Sequence, residues 1–384
     1  MPSPDVQVLT DARELEPFAA AWEALRAAAP RPHVEHRIDW LALEERLLRH
    51  HQGQLAVIGL FAGEALVGAV PLLVRDYRWP CRIGYWSLAR PRVRLARLCG
   101  ERPLLPPDPA AYAAAIGALA ALPAEVIYLE GLPAEGEFWR QLRKDVACHR
   151  TFWLHAPWPA TPHHYIRIEG SFDEYVRRFS GRTRRKLRYA ERGLERECGS
   201  RVWTERVAEI EQVLPFLGAA EQISTRSWQA RKLGKCLCRG QDEERLLEYA
   251  QRGWLRSYLL RCETAPIAFL VGVQADGVYY VEHTAFDPWR ARWSPGRLLH
   301  LRMLADLFQW ERPAWVDFRR GDADHKRTWG TVSEPEVSVY LVRRTARMLP
   351  VLLAQRLTTR LERWGRAGLT VLGCRRRARQ RCRR

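Results

Sequence analysis

The 384-residue chain is 47% hydrophobic and carries 62 Lys and Arg residues against 44 Asp and Glu, a formal net charge of +18. This length predicts two or three domains, and the apolar fraction excludes wholesale disorder. The excess charge is concentrated at the carboxyl end, because residues 343–384 contain 14 Arg and a single acid, Glu362, and the rest of the chain carries only +5. The positive charge is therefore mainly a property of the carboxyl-terminal tail, and by itself it does not indicate a nucleic-acid-binding protein.

Cysteine usage and the amino terminus indicate the compartment. The nine cysteines are odd in number and scattered along a long chain, which argues against a disulfide framework. Cys236 and Cys238 lack a second ligand pair at zinc-finger spacing, so no metal site is predicted. The acidic segment 1–16 has the pattern of neither a signal peptide nor a transit peptide, and no stretch reaches the roughly 18 uncharged apolar residues of a membrane span. The sequence thus predicts a soluble cytoplasmic protein.

The first half of the chain alternates helical and strand patterns. Apolar residues at three- and four-residue steps indicate helices, and short apolar β-branched runs indicate strands. The runs 55–61 and 65–74 flank Ala62-Gly63-Glu64, which is a hairpin signature. In chain order the sequence predicts helices over 18–29 and 40–50, strands over 55–61, 65–74 and 82–88, a helix over 110–122 and a strand over 126–130.

The second half repeats this order with added helices. A capping box from Ser171 to Glu174 opens a helix whose apolar line continues to Cys198, and Gly199 closes it. In chain order the sequence predicts a strand over 165–169, a helix over 171–198, a strand over 201–206, helices near 208–227 and 242–251, strands over 255–262, 266–273 and 278–286, a helix over 296–309, and strands over 315–319 and 336–344.

The two halves share this order at a near-constant offset. The second hairpin strands, 65–74 and 265–273, lie about 200 residues apart, and the long helices and the strands after them are separated by 186–189 residues. Equal order at equal offset favours two copies of one mixed α/β unit.

A polar turn between the strand 278–286 and the helix 296–309 is the sharpest local signal. Pro295 suits the first position of a helix, and Ser294 is a natural N-cap. Gly296 lets a ligand approach the backbone, where exposed amides and the helix dipole attract an anion. Further positive charge comes from the arginines of this turn, Arg290, Arg292 and Arg297. The pattern fits a diphosphate site, and it fits equally well a capped helix that binds nothing.

In their order and spacing, several segments resemble the acyl-coenzyme-A motif of the GNAT acetyltransferase fold. More narrowly, they resemble the FemABX-like bacterial acetyltransferases of cellulose and exopolysaccharide biosynthesis. The resemblance covers roughly residues 10–345; it implies two GNAT-like units and acetyl-CoA as the acyl donor, held at the arginine turn. The matching segments are Phe179 to Arg188, Ser227 to Gly234, Phe286-Asp287-Pro288, Ser294-Pro295-Gly296, Val316 to Gly321, His325-Lys326 and Trp329.

The first copy departs from this motif. Before its helix it has Leu104 to Pro109, whose three prolines remove amides and whose Asp108 repels phosphate. This copy is therefore predicted not to hold coenzyme A and to supply one wall of the acceptor cleft.

Two titratable residues on the strand 278–286 are candidates for proton transfer. The resemblance places the pantetheine beside this strand, where a backbone amide polarises the thioester carbonyl. Glu282 and His283 should point to opposite faces, so only one can face the cleft. His283 titrates near neutrality and suits a general base, whereas Glu282 would need a raised pKa or a relaying water. The alternative is that one packs and the other is solvated, with no catalytic role for either.

Charged residues cluster after the last core strand, at the edge where ligands gather in α/β sheets. The resemblance makes Lys326 a substrate-cleft residue that pairs with an anionic acceptor or the leaving group, and Asp317 a substrate-side residue that orients its neighbours. Asp322 and Asp324 fit an ordinary polar turn better. Trp228 and Trp329 are candidates for stacking on sugar rings, although most tryptophans are expected in the core.

Two basic helices are predicted. The helix 177–192 could bind nucleic acid or line an acidic substrate channel, but ordinary solvated surface is favoured. The carboxyl-terminal helix has arginines flanking an apolar stripe, which suits an anionic membrane surface, where each basic residue contributes ~1 kcal/mol. Docking of this stripe onto the body, with a floppy end, is the equal alternative. The stripe consists of Leu349, Leu353, Leu357, Leu361 and Trp364.

Together these features predict a mixed α/β protein with two tandem GNAT-like domains. A degenerate domain is expected over 1–150, a catalytic acyl-CoA-binding domain over 151–345, and a basic amphipathic helix with a disordered arginine-rich tail over 346–384. The expected activity is acetyl transfer from acetyl-CoA to an amine or hydroxyl acceptor, such as a glycan or nucleotide-sugar intermediate of exopolysaccharide synthesis. No metal or nucleic acid is expected to bind, and the protein is expected in the cytoplasm or at the inner face of the membrane.

Two other functions stay open at this point. One is a FemABX-type transferase that uses aminoacyl-tRNA, which the helix 177–192 would serve. The other is a non-enzymatic adaptor that recruits a polysaccharide synthase to the membrane through the carboxyl-terminal helix.

Overall fold

A computed structural model describes residues 4–49, 52–84, 86–199, 202–227, 230, 236–240 and 242–381, with side chains as far as residue 365. Its strands are β1 Asp5–Leu9, β2 Gln54–Ala62, β3 Ala65–Arg78, β4 Cys81–Ile83, β5 Trp86–Ala89, β6 Arg92–Leu98, β7 Val126–Pro133, β8 Phe152–His155, β9 Thr161–Arg167, β10 Val202–Val207, β11 Ser257–Cys262, β12 Ala265–Ala275, β13 Val278–Phe286, β14 Trp315–Asp317 and β15 Val332–Arg343.

The α-helices are α1 Ala19–Ala27, α2 Ile38–Arg49, α3 Pro109–Leu119, α4 Glu137–Lys144, α5 Val146–Thr151, α6 Phe172–Arg177, α7 Gly181–Cys198, α8 Ile210–Arg226, α9 Glu243–Gln251, α10 Pro295–Gln309, α11 Asp324–Trp329 and α12 Met348–Arg381. Three 3-10 helices cover Ala12–Phe18, Val34–His36 and Pro288–Trp293. Among the described residues, no helix is long and apolar enough to cross a membrane.

The chain forms two compact units. One contains Met1–Ala160 together with Pro335–Arg384, and the other contains Thr161–Glu334. The first unit therefore includes α12 and most of β15. The sequence had instead predicted that residues up to 345 belong to the second domain and that 346–384 form a separate tail. The physical reason is that β15 pairs antiparallel with β7 and β8, so the last strand completes the sheet of the first unit.

The first unit has a mixed sheet with the order β1-β2-β3-β6-β7-β15. All neighbours are antiparallel except β6 and β7, which run parallel and are joined through α3. Apolar side chains of the sheet pack against α3 and α4, and this cluster includes Ile58, Leu72, Ile116, Trp139 and Leu341.

The second unit has a mixed sheet with the order β10-β11-β12-β13-β14-β9. All neighbours are again antiparallel except β13 and β14, which run parallel and are joined through α10. Its apolar core lies between this sheet and α7 and α10, and it includes Leu194, Tyr279, Leu299, Met303 and Trp329.

The two sheets have the same topology. Each has four antiparallel strands, then a helix that returns the chain to a parallel fifth strand, then an antiparallel sixth. The sixth strand of the first unit, β15, comes from the carboxyl end, whereas that of the second unit, β9, precedes the rest of its sheet. The repeated unit expected from the offset is thus present, with its sixth strands placed differently along the chain.

Several local predictions are confirmed and several are corrected. The Ser171 capping box is present, and Gly199 ends α7 with a φ of 64°. The single helix expected over 171–198 is instead α6 and α7, because Ser180 is an N-cap that accepts from the Thr183 amide. The strand expected over 82–88 is a separate hairpin of β4 and β5, and β6 was not expected. α12 is described from Met348 to Arg381.

Candidate functional site

The parallel strands β13 and β14 separate after a short contact. They pair only through Val278–Tyr280 and Trp315–Asp317, although β13 continues to Phe286 on its β12 side. Beyond Tyr280, the other edge of β13 has no strand partner in the described part of the chain. This leaves an opening in the sheet, with main-chain groups available to a ligand that lies along β13.

A β-bulge lies at this opening. His283 pairs with Val271 and Val281 pairs with Gly272, so Glu282 is the extra residue on β13. Bulges of this kind re-aim side chains and are frequent next to active sites. The carboxylate of Glu282 accepts a hydrogen bond of 3.1 Å from Nε of Arg319. Because Arg319 follows β14, this ion pair joins the two strands across the opening.

The structure therefore separates the two candidate bases. Glu282 lies at the opening, whereas the ring of His283 lies 5.4 Å from that of Phe269 on β12. Phe269 in turn packs edge-on against Phe216 of α8. His283 thus contacts the side of the sheet that α8 covers, and the geometry favours Glu282 as the residue that meets a substrate in the opening.

Asp317, at the end of β14, is buried, and its carboxylate makes hydrogen bonds within the protein. Its Oδ1 lies 2.7 Å from Nε2 of His163 and accepts a hydrogen bond of 2.5 Å from the amide of Arg319. The His163 ring stacks on Tyr165 at 4.2 Å. Asp317 therefore orients the turn that carries Arg319, as expected, but it does not face a substrate directly. His163 was not predicted as a site residue, because a histidine within a strand carries no pattern that distinguishes it.

Lys326 also acts on this turn. Its Nζ donates hydrogen bonds to the carbonyl oxygens of Arg319, at 2.8 Å, and Arg320, at 2.6 Å. Arg319 has a φ of 55° and Gly321 a φ of 93°, a left-handed conformation that costs energy for a non-glycine residue. Lys326 thus holds the turn that places Arg319 beside Glu282, and its predicted catalytic role stays a prediction.

The arginine turn before α10 is bound by one carboxylate of α7. Glu197 accepts hydrogen bonds from Arg290 at 3.2 Å, from Nε of Arg292 at 3.0 Å, and from the indole of Trp293. The hydrogen bond from Arg292 is the largest cause that lowers the pKa of Glu197. Of the three predicted phosphate-binding arginines, two therefore already have a carboxylate partner. Arg297 is exposed, and no ion pair to it exists among the described residues.

The close contact between α7 and this turn has a visible cause. A Cβ on Gly193 would lie 2.1 Å from the Trp293 ring, so only glycine allows this packing. At the end of α7, Cys198 forms a disulfide with Cys262 of β11, at a Cα–Cα distance of 5.8 Å. One disulfide is thus present where the cysteine spacing indicated no disulfide framework. It ties the helix end that carries Glu197 to the sheet.

The first turn of α10 leaves hydrogen-bond donors unused. Ser294 occupies the N-cap position with a φ of 50°, and its hydroxyl makes no cap hydrogen bond. Pro295 has no amide hydrogen, and among the described residues none accepts a hydrogen bond from the amide of Gly296. These groups, the helix dipole and Arg297 together form a site of the kind that binds phosphate groups.

The same corner of the first unit is closed. The carboxylate of Asp108 accepts hydrogen bonds of 3.3 Å from the amides of Ala110 and Ala111 at the start of α3. An anion would meet a carboxylate there instead of free amides. This arrangement agrees with the sequence of the first copy, in which Asp108 and three prolines replace the acyl-coenzyme-A motif.

The predicted sugar-stacking role of Trp329 does not fit its position. Trp329 is only 1% exposed and packs edge-on against Phe179 in the core, with ring centres 5.3 Å apart. Its carbonyl accepts a hydrogen bond from the hydroxyl of Tyr175. Trp329 is therefore a core residue, which corrects the prediction. Trp228 lies outside the described residues.

Comparisons with known proteins give one family match and several similar folds. Residues 181–327 match the family described as acetyltransferase (GNAT) domain. The fold is similar to the crystal structure of FemX, with a TM-score of 0.57 and 12% identity over 88% of this chain and 98% of that chain. A tandem GNAT protein from the clavulanic acid biosynthesis pathway is similar at a TM-score of 0.48 and 14% identity, over 88% of this chain and 98% of that one.

No curated protein matches the chain by sequence. The matched segment contains α7, the opening between β13 and β14, the arginine turn and Lys326. The match to a GNAT acetyltransferase domain over residues 181–327 supports the resemblance noted from the sequence for this segment, and the fold of the chain is similar to that of FemX.

Proposed function

We propose that this protein transfers a short acyl group, such as acetyl, from coenzyme A to an amine or hydroxyl acceptor. The observation that carries the proposal is the opening between β13 and β14, with the first turn of α10 presenting unused donors beside it. A thioester carrier needs both features, since its diphosphate requires amides and positive charge while its amide-containing arm requires a free strand edge.

The reaction follows from this arrangement. The diphosphate of the donor binds at Gly296 and Arg297, and the arm of the donor hydrogen-bonds along the free edge of β13. A main-chain amide of β13 stabilises the negative charge that develops on the thioester oxygen during attack. The acceptor forms a bond to the carbonyl carbon, the carbon–sulfur bond breaks, and coenzyme A leaves as a thiolate.

Glu282 is the residue proposed to take the proton of the acceptor. Its carboxylate lies at the opening, and a positioned carboxylate contributes about 100-fold or more to such a step, directly or through one water. The acquired proton then passes to the leaving thiolate, so the carboxylate is regenerated. Arg319 is the positioning residue, because its ion pair fixes the orientation of Glu282 and Lys326 fixes Arg319.

The acceptor is proposed to be a glycan or nucleotide-sugar intermediate of an exopolysaccharide pathway. This part of the proposal rests on the resemblance of the motif segments to FemABX-like acetyltransferases. The buried position of Trp329 removes one predicted sugar contact, so the acceptor must be recognised by other side chains.

A second candidate function is supported by one surface. Four arginines on one face of α7 occur at three- and four-residue steps and, with Tyr189, Glu195 and Gly199, line an open groove of about 1130 Å³. A row of exposed guanidinium groups is the electrostatic pattern of a phosphate backbone site. This favours the aminoacyl-tRNA-dependent alternative over the adaptor. The four are Arg185, Arg188, Arg192 and Arg196.

A single labelling experiment distinguishes these functions. Purified protein is incubated with a small-molecule extract and either radiolabelled acetyl-CoA or radiolabelled aminoacyl-tRNA, and the labelled products are identified by mass spectrometry. Acetyl-CoA-dependent label in a small molecule is expected, with loss of labelling in Glu282→Gln. Label only from aminoacyl-tRNA would replace the proposal with the second function. Absence of label from either donor, together with absence of acetyl-CoA binding at micromolar concentration in calorimetry, would leave the adaptor.

A further inference from the structure

The carboxyl-terminal helix α12 has one face packed onto the first unit. Its inner side chains recur at three- and four-residue steps, are buried, and comprise Met348, Leu352, Gln355 and Thr358. Met348 and Leu352 pack in a cluster with Trp79 and Val93, and Nε2 of Gln355 donates to the carbonyl of Pro80. Since these contacts satisfy the inner face, the opposite face of the helix would ordinarily be polar.

The opposite face is instead apolar. Successive residues of a helix are rotated by about 100°, which places the stripe centred on Leu353 and Leu357 on the far side of α12 from Leu352 and Gln355. Its members are 38–72% exposed and account for five of the sixteen large exposed apolar side chains among the described residues. They are Leu349, Leu353, Leu357, Leu361 and Trp364, here called the outer stripe. The structure thus decides one open alternative, because the outer stripe does not dock onto the body.

The charges beside the outer stripe select the kind of partner. Arg356 and Arg363 lie along one flank and donate hydrogen bonds to the carbonyls of Leu154 and Pro157. The only acid of the helix, Glu362, belongs to the packed side. In sequence, residues 366–384 add eight more arginines and no acid. A second copy of the chain would bring these like charges together, whereas an anionic surface would be attracted to them.

We propose that the outer stripe of α12 binds the surface of a membrane containing anionic phospholipids, with the helix lying parallel to that surface. Leucine and tryptophan side chains on one face and arginines beside them are the combination that inserts shallowly between headgroups. The hairpin of β4 and β5, next to α12 in the first unit, adds exposed Trp86 and Leu88. Such binding would hold the protein at a membrane without a spanning helix.

The test uses the full-length protein and sedimentation with vesicles. We expect binding to vesicles of phosphatidylcholine and phosphatidylglycerol in equal parts, little binding to pure phosphatidylcholine, and release by added salt. The double variant Leu353→Glu/Leu357→Glu is expected to bind at least about tenfold more weakly, because two apolar anchors are lost. Val146→Glu is the matched control, since Val146 is also exposed in this unit but lies on α5.

Two further measurements keep the outcomes distinct. Circular dichroism and acetyl-CoA binding show whether the variants remain folded, and Arg360→Glu offers a second route to weaker binding if the double variant is unstable. Wild-type binding that is absent, or equal in the double variant and in Val146→Glu, overturns the proposal. A wild-type dimer that dissociates in the double variant, without vesicle binding, would instead show that a second copy covers the stripe.

Discussion

The phosphate site at the start of α10 can be tested by adding one negative charge. Gly296 is the second residue of this helix, and its φ lies outside the left-handed region, so a side chain requires no change of backbone. A Cβ there would lie 3.2 Å from Cδ1 of Phe286, which asks for a shift of only a few tenths of an ångström. An aspartate in the first turn also interacts favourably with the helix dipole, by ~0.3–1 kcal/mol. Gly296→Asp should therefore fold.

Its effect on coenzyme binding can be worked from Coulomb's law. An aspartate on this turn would stand roughly 5 Å from a bound phosphate, so each pair of unit charges repels by ~0.8 kcal/mol in water-like surroundings and ~3 kcal/mol at an effective dielectric constant near 20. The Kd of acetyl-CoA should thus rise between about fourfold and about 300-fold. Gly296→Ala adds the same Cβ without charge, and its Kd should change little.

Isothermal titration calorimetry with acetyl-CoA measures both variants against the wild type. The difference between Gly296→Asp and Gly296→Ala isolates the charge, and it should shrink as salt is added because a partly exposed site is screened. Equal affinities for the two variants at low salt would refute the assignment of the diphosphate to this corner.

Three further predictions concern the second unit and the stability of the chain. Glu282→Gln should lower kcat at least about 100-fold with an unchanged Kd for acetyl-CoA, as followed by thiol release; equal effects on both would contradict a proton-accepting role. Reducing the Cys198–Cys262 disulfide should lower Tm, because it opens a loop with a sequence separation of 64 and loses up to about 4 kcal/mol. The double serine variant should melt alike with and without reductant. Burial lowers the pKa of His36 to about 4 from 6.5, so below pH 6.5 the unfolded chain binds a proton that the folded chain does not. When the pH is lowered from 7.5 to 5, this residue should therefore lower the free energy of unfolding by about 2 kcal/mol. In urea titrations, the free energy of unfolding of His36→Gln should fall by about that much less over the same pH range.

Short-range chemistry made much of the fold predictable. The capping box at Ser171, the glycine at the end of α7 and the turn between β2 and β3 each depend on residues a few positions apart. β6 was missed because its three arginines, Arg92, Arg94 and Arg97, do not keep a strict two-residue alternation. Their partners lie elsewhere in the chain, as in the pairs Arg94–Asp76 and Arg97–Glu35. A strand that depends on such distant ion pairs carries no local pattern that favours it.

The candidate site was only partly predictable for the same reason. The arginine turn and Gly296 belong to one continuous segment, and the sequence indicates them together. Glu197 contacts that turn from α7, a sequence separation of more than 90 residues. The role of Lys326 depends on two main-chain carbonyls, which no side-chain pattern reveals. The bulge at Glu282 interrupts the alternation of the strand and brings that residue to the opening. From alternation alone, either Glu282 or His283 could have faced the opening.

The two copies of the unit show how a small change at a helix start alters what the unit can bind. Both α3 and α10 begin with a proline, and each helix joins the two parallel strands of its own sheet. In α3 the side chain of Asp108 takes the first two available amides and adds a negative charge. In α10 the residue at the same position is Ser294, whose hydroxyl makes no cap hydrogen bond, and no acceptor among the described residues pairs with the amide of Gly296. The missing side-chain cap lowers the stability of that helix by ~1 kcal/mol. An anionic ligand that accepts a hydrogen bond from the free amide can recover this stability. Because Ser294 has a left-handed φ of 50°, an aspartate there is not held in the extended conformation that lets Asp108 cap α3. A Ser294→Asp change should therefore bring a negative charge to this corner and weaken coenzyme binding in calorimetry, with little change in thermal melts. A variant that keeps its affinity would show that the donor is bound elsewhere.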